Sequence, residues 1–207
     1  MHRLLVFILF ASLWVGGGAD AVLAQSADTI RPLSADLQAA QRAHLWRVAA
    51  WGGANVLGGL ALVGASSRTG PSAARWNFGA MSAGWGAVNI GIAAAGLVAS
   101  PDTPLADPAA ALAAERQFHD ILLFNLGLNV AYSAVGATML AAGARGVDAA
   151  ARWRGFGSAL ILQGVGLFVL DGIAFLASRT RLSSLLDATA ALSFHATPTG
   201  VALSLSL

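Results

Sequence analysis

Residues 116–142 read RQFHDILLFNLGLNVAYSAVGATMLAA, and this stretch decides the fold class. It is apolar and long enough to cross a bilayer as a helix, because about 20 residues span the hydrocarbon core. At helical spacing, Asn125, Asn129 and Tyr132 lie along one stripe. An unpaired polar group in hydrocarbon is costly, so these side chains need partners on other helices. The sequence therefore predicts a membrane bundle with a polar interior.

Other apolar segments supply polar groups at a similar depth. The predicted polar bundle interior consists of Asn55, Asn89, Asn125, Asn129, Tyr132, Gln163 and Asp171. Burial in a bilayer favours the neutral form of a carboxyl group, so Asp171 is a candidate for binding a proton or orienting a ligand. The alternative is a structural network that fixes helix register. Because the sequence places no basic residue at the depth of Asp171, the structural interpretation is favoured.

Composition supports the membrane class and excludes several functions. Hydrophobic residues make up 57% of the chain and charged residues 11%, less than half the ~25% of an ordinary soluble protein. There is no cysteine, which excludes disulfides and thiolate metal sites. The arginines are dispersed, so nucleic-acid binding is not expected. The sequence lacks a phosphate-binding loop, a nucleophile elbow and a zinc-protease motif, and we therefore expect a protein that is not an enzyme.

The chain divides into four predicted regions. Residues 1–24 resemble a signal peptide, with a charged start, an apolar run and small residues before Gln25. An uncleaved anchor is the alternative. Residues 25–44 are predicted to form an extracytoplasmic segment with a helix start at Pro32 and Ser34, and residues 45–181 a four-helix transmembrane domain. Residues 182–207 are predicted to be an extracytoplasmic tail with a β-hairpin, because apolar and small polar residues alternate around residues 198–200.

The four predicted spans are residues 45–65, 76–98, 116–142 and 155–177, and Asp107-Pro108 is the expected start of the third helix. The short turns that join the spans in pairs carry five arginines and one acid. Those arginines are Arg68, Arg75, Arg145, Arg152 and Arg154. Positive-inside counting places these turns in the cytoplasm. We therefore expect a multi-pass protein of the bacterial cytoplasmic membrane, with both termini extracytoplasmic after signal cleavage.

Short motifs recur along the chain. WGGAN at residues 51–55 returns as WGAVN at residues 85–89. Aligning Asn55 with Asn129, and Phe78-Gly79 with Phe156-Gly157, relates the first half of the bundle to the second. Two repeated helical hairpins explain this pattern, and chance recurrence of common membrane residues is the alternative.

Two histidines form a second candidate site. His44 and His119 each begin a span at the predicted extracytoplasmic rim. Two such imidazoles could ligate haem iron, or a divalent metal together with a carboxylate. Neither helix has the paired spacing of a metal motif, and histidines at a membrane interface ordinarily face lipid headgroups. The sequence therefore predicts no metal or cofactor, with His44 and His119 as the candidates if one is bound.

A family resemblance supports this architecture. FNLGLNVAYSAVGATML (residues 124–140), QGVGLFVLDG (residues 163–172) and WGAVNIGIA (residues 85–93) resemble an uncharacterised family of bacterial four-helix integral membrane proteins of unknown function. The resemblance extends from Leu45 to about Ala177. In that family the second asparagine of the third helix is often an aspartate, so Asn129 does not carry over an ionisable role. The resemblance implies a fold and no reaction.

Three functions remain open at this point. The leading hypothesis is a non-enzymatic integral membrane protein that acts by binding a protein partner, a lipid or a small hydrophobic ligand. One alternative is a small transporter or proton-coupled channel component that uses Asp171 and the asparagine layer. The other is a membrane haem or metal protein that uses His44 and His119. The expected partners are the lipid bilayer and a protein partner or a second copy of the chain, and not nucleic acid.

Overall fold

The computed structural model describes the backbone of residues 2–195 and the side-chain surroundings of residues 28–190. The described chain is helical almost throughout. Its α-helices are α1 (His2–Gly64), α2 (Ala73–Ala99), α3 (Pro108–Ala144) and α4 (Ala150–His195), and a short 3-10 helix, Gly70–Ser72, precedes α2. No β-strand occurs within residues 2–195. The predicted all-α class is therefore confirmed.

Three of the helical segments are long and apolar enough to cross a membrane. They are Gly70–Ala99, Pro108–Ala144 and Ala150–Ala190. The predicted first span lies within α1, but Arg47, Asn55 and several glycines dilute its apolar character, and it is not among the three. The described residues therefore indicate a membrane protein with three clear candidate spans, where the sequence predicted four. Signal cleavage and topology stay predictions.

The first strand of the predicted C-terminal β-hairpin is wrong. Helix α4 continues to His195, so residues 191–195 are helical. Alanine and leucine are good helix formers, and extending an existing helix is much easier than nucleating a new element. An alternation over six residues is too short to separate a strand from the end of a helix. The predicted second strand, residues 201–207, lies outside the described residues.

The two helix starts predicted from the sequence have different outcomes. The N–H of Ala110 donates to Asp107 Oδ2 at 2.8 Å, so Asp107 caps α3 as predicted and Pro108 begins the helix. The start predicted at Pro32 and Ser34 is wrong, because α1 runs through both. The buried Ser34 hydroxyl instead accepts a hydrogen bond from the N–H of Leu105 at 2.8 Å. Ser34 therefore holds the loop before α3 in place.

The chain forms two compact units. The first unit contains α1 up to Gln38, Asp102–Gln117 and α4 from Ser178 onward. Its core is one fully buried residue from each of three helices, namely Ile30, Ala111 and Leu185. These are parts of the three regions that the sequence assigned to one side of the membrane. The second unit contains Ala39–Pro101 and Phe118–Ala177, and it holds the apolar spans.

Within the second unit, α1 and α2 form an antiparallel hairpin packed through glycine. A Cβ atom added to Gly52 would lie 2.6 Å from the carbonyl oxygen of Gly86, and one added to Gly79 would lie 2.5 Å from that of Gly59. Real Cβ atoms do not approach this closely, so the two backbones touch at both levels. Small residues permit such contact between membrane helices.

Helices α3 and α4 repeat this packing. A Cβ atom on Gly157 would lie 2.6 Å from the carbonyl oxygen of Gly136, and one on Gly164 would lie 2.6 Å from that of Asn129. The neighbours on each side of these contacts also correspond in position. The contact between Gly59 and Gly79 in the first hairpin thus corresponds to the contact between Gly136 and Gly157 in the second. Likewise, the contact between Gly52 and Gly86 corresponds to the contact between Asn129 and Gly164.

Contacts between the hairpins follow the same correspondence. Asn55 of α1 bonds Gln163 of α4, and the corresponding residues Tyr132 of α3 and Trp85 of α2 pack together with ring centroids 5.0 Å apart. Gly155 of α4 packs on Asn77 of α2, which is its own counterpart. The second unit therefore has an approximate two-fold repeat. The predicted alignment of Phe78-Gly79 with Phe156-Gly157 matches it, whereas the alignment of Asn55 with Asn129 is displaced by one helical turn.

Candidate functional site

Three helices of the second unit bring together a buried acid, an imidazole and a carboxamide. His44 Nε2 of α1 lies 3.1 Å from Asp171 Oδ1 of α4. Asn129 of α3 donates from Nδ2 to the other carboxylate oxygen, Asp171 Oδ2, at 2.6 Å. His44 is 5% exposed and Asp171 is 4% exposed. Both oxygens of a buried carboxyl group are thus held by donors from different helices. We call His44, Asp171 and Asn129 the acid cluster.

One nitrogen of the His44 ring has no hydrogen-bond partner, so the acid cluster is not a fully satisfied network. This nitrogen, Nδ1, is buried. The ring also packs against Phe118 of α3, with centroids 6.2 Å apart and an interplanar angle of 67°. A neutral imidazole that donates from Nε2 has a lone pair at Nδ1, whereas an imidazolium has an N–H there. Nδ1 is therefore the atom of the His44 ring at which a proton could be added without breaking the contact with Asp171.

A second polar cluster forms its own hydrogen-bond network. Gln163 Oε1 accepts from Trp51 Nε1 at 3.0 Å and from Asn89 Nδ2 at 3.3 Å. Gln163 Nε2 donates to Asn55 Oδ1 at 2.6 Å, and Asn55 Nδ2 donates to the carbonyl oxygen of Trp51 at 2.8 Å. These bonds link α1, α2 and α4. Because the acceptors and donors match, this amide cluster has the features of a structural network.

The structure brings together most of the predicted polar interior, in two clusters. Asn129 and Asp171 are in the acid cluster, and Asn55, Asn89 and Gln163 are in the amide cluster. Two predicted members lie outside both. Asn125 is half-buried, and half-buried Tyr132 packs its ring on Trp85.

The sequence argument that no basic residue lies near Asp171 is wrong. It treated His44 as a rim residue, because His44 precedes the predicted first span. However, α1 and α4 run antiparallel, so the start of the span in α1 meets the end of the span in α4. Helix direction alone could have predicted this pairing once α1 and α4 were taken as neighbours.

Sequence reasoning missed an ion pair in the first unit. Glu115 of α3 is 0% exposed and accepts from Ser178 Oγ at 2.5 Å. Arg181 donates from Nε to Oε2 at 3.0 Å and from Nη2 to Oε1 at 3.1 Å. Neither residue is among the candidates that the sequence predicts, because they are 66 positions apart in the chain. The spacing of Ser178 and Arg181, which puts both on one helix face, was the available signal.

The two candidate metal ligands have different neighbours. His44 Nε2 is engaged by Asp171, whereas His119 stacks on Phe175 with ring centroids 4.4 Å apart. Among the residues that the structure describes, no group of three or more His, Cys, Asp or Glu side chains is placed to hold a metal. The haem or metal hypothesis stays an untested prediction.

The acid cluster occurs at one of the two helix crossings that the two-fold repeat relates. By the correspondence of the hairpins, His44 matches Ile121 of α3 and Asp171 matches Ala93 of α2. The crossing of α2 and α3 thus has apolar residues at positions where the crossing of α1 and α4 has a titratable pair.

Comparison with known proteins identifies a family and no activity. No curated protein and no solved structure matches the chain significantly. One family model, described as a family of unknown function, matches residues 47–172. This range includes Asn129, Asp171 and the amide cluster, and it begins just after His44. Because the match covers more than half of the sequence, the chain belongs to this family of unknown function, DUF6992.

Proposed function

We propose that the protein is a non-enzymatic integral membrane protein that binds and releases a proton at the His44–Asp171 pair. The observation that carries the proposal is the 3.1 Å contact between two buried titratable groups inside the unit that holds the apolar spans. Ionisable groups within membrane segments are costly and are typically found on proton or ion pathways. The unpartnered His44 Nδ1 leaves one position of the pair open to change.

Two further observations support a role beyond packing. The corresponding positions, Ile121 of α3 and Ala93 of α2, carry no polar group. The amide cluster links α1, α2 and α4 through its own hydrogen bonds, so these three helices are held together by contacts other than those of Asp171. These observations favour the proton-coupled hypothesis over a purely structural network.

The groups around the pair restrict what else can titrate with it. From α3 the pair meets Asn129 and Phe118, neither of which ionises. The residues of α2 after Asn89 include no ionisable side chain. One turn beyond Asp171, Phe175 stacks on His119. His44 and Asp171 are therefore the ionisable members of the acid cluster, and His119 is the neighbouring ionisable residue.

The localisation that we propose is the cytoplasmic membrane of a bacterium, with both termini extracytoplasmic. The five arginines of the short turns support this orientation by the positive-inside rule. The signal-like N-terminus is consistent with export of the first unit.

An NMR titration of the full chain in nanodiscs tests the proposal. Labelled histidine and aspartate report the protonation of His44 and Asp171 directly between about pH 5 and pH 8, where histidine changes charge. We expect the two signals to change together in the wild type and the His44 transition to move in Asp171→Asn. His119→Gln is the matched control and should leave a coupled transition of His44 and Asp171. A constant protonation state of both residues across this range would overturn the proposal.

A further inference from the structure

The two short turns that join the helices of each hairpin carry an unpaired positive charge. Five exposed arginines lie in or beside these turns: Arg68, Arg75, Arg145, Arg152 and Arg154. No ion pair joins any of them to an acid within the described side chains, residues 28–190. The nearby acid in sequence, Asp148, leaves a clear positive excess. We call these five residues the arginine patch.

Helix packing brings the two arginine-bearing helix starts together. Gly155 of α4 packs on the backbone at Ala74 and Phe78 and on the Cβ of Asn77, all in α2. Arg75 and Arg154 therefore flank one helix crossing. The two turns of the arginine patch thus lie at the same end of the second unit.

Tryptophans lie among the arginines. The guanidinium carbon of Arg68 lies 4.4 Å from the ring centroid of Trp76, a cation–π contact. In the two-fold repeat, the position of Arg75 corresponds to that of Trp153, and the position of Trp76 corresponds to that of Arg154. Each hairpin thus presents an arginine beside a tryptophan at the same level. Tryptophan is the residue that settles at the boundary between lipid tails and headgroups.

The neighbouring helix surfaces determine which anion can reach the patch. Beyond the arginines, the same helices expose large apolar side chains, including Leu60, Val135 and Leu162. A ligand that binds to both surfaces needs a phosphate group, which the arginines bind, and acyl chains, which pack on the apolar side chains. We infer that the arginine patch binds the phosphate headgroups of anionic phospholipids. Guanidinium groups suit this role because they form paired hydrogen bonds with phosphate oxygens.

Native mass spectrometry of the full chain tests this inference. The protein is released from nanodiscs that contain equal amounts of phosphatidylglycerol and phosphatidylcholine, which differ in net charge. We expect retained phosphatidylglycerol to exceed phosphatidylcholine. The double variant Arg75→Gln with Arg154→Gln should lower this preference by about fivefold for each arginine removed. The lysine pair, Arg75→Lys with Arg154→Lys, should keep most of it.

The matched control removes the same charge elsewhere. Arg116 and Arg179 are exposed arginines of the first unit, outside the patch. The variant Arg116→Gln with Arg179→Gln should retain the wild-type preference. Equal retention of the two lipids by the wild type, or an equal loss in the control variant, would overturn the inference. Binding of an acidic polypeptide in place of phosphatidylglycerol would overturn it as well, because the patch would then serve a protein partner.

Discussion

Arg181 holds Glu115 through two nitrogen atoms, with Nε 3.0 Å from Oε2 and Nη2 3.1 Å from Oε1. Ser178, one turn earlier on α4, donates to the same carboxylate at 2.5 Å. The carboxylate is fully buried, so its charge depends on these donors. This contact fixes α4 to α3 in the first unit.

Loss of the Glu115 charge should weaken the first unit. We expect Glu115→Gln to lower the free energy of unfolding by about 3 kcal/mol, because it leaves a partly buried guanidinium without its counter-charge. Denaturant unfolding in detergent, followed by circular dichroism, measures the change. Arg179→Gln, an exposed neighbour of Arg181, should stay within about 0.5 kcal/mol of the wild type. Equal stability of the two variants would show that the ion pair is dispensable.

Adjacent glycines of α1 should respond in opposite ways to alanine. A Cβ atom on Gly59 would collide with Gly79 and Ala83, whereas one on Gly58 meets nothing within 4 Å. We expect Gly59→Ala to cost about 1–3 kcal/mol by forcing α1 and α2 apart. Gly58→Ala should be neutral or stabilise the helix by up to about 1 kcal/mol. Unfolding of the two variants in mixed micelles checks this difference, and a similar cost at both positions would contradict the glycine contact.

The turn between α3 and α4 contains a strained alanine. Ala149 has a φ of 58°, in the left-handed region that glycine adopts freely. We expect Ala149→Gly to raise the free energy of unfolding by about 1 kcal/mol by relieving this strain. Ala142→Gly, within α3, should lower it by a similar amount. Thermal unfolding of both variants measures the changes, and destabilisation by Ala149→Gly would refute the strain.

A double-mutant cycle measures the coupling between His44 and Asp171. Asp171→Ala leaves both His44 Nε2 and Asn129 Nδ2 without an acceptor. His44→Ile with Asp171→Ala removes the pair and installs the residue types of the corresponding positions, Ile121 and Ala93. We expect the double variant to lose less stability than the two single variants added together, with an interaction of about 1–3 kcal/mol. Additive losses would mean that the 3.1 Å contact contributes nothing.

Much of the fold could be predicted from the sequence, because apolar length and turn chemistry are local properties. Residues 116–142 indicated a membrane helix, and Asp107-Pro108 marked the start of α3. Ser34 had the local features of a cap but is used by a distant loop, at Leu105. The tail failed for a different reason, since a short alternating pattern does not show whether an upstream helix continues.

The sequence predicted two members of the acid cluster, Asn129 and Asp171, but it did not predict the contact between Asp171 and His44. Asn129 and Asp171 are recognisable because polar groups are rare in apolar spans. His44 was discounted because depth was assigned from its own segment, although its depth depends on which helix lies beside it. Glu115 and Arg181 were missed for the same reason, as they are 66 positions apart in the chain.

The approximate two-fold relation between the hairpins has an evolutionary consequence. A symmetric pair of identical two-helix chains must accept every substitution twice, once in each copy. Joining the copies in one chain removes that restriction, so that each crossing between hairpins can change independently. One crossing carries Ile121 and Ala93, while the other carries His44 and Asp171. Gene fusion would thus have made it possible to place a single charged pair off the symmetry axis, which a homodimer of half-length chains could not do.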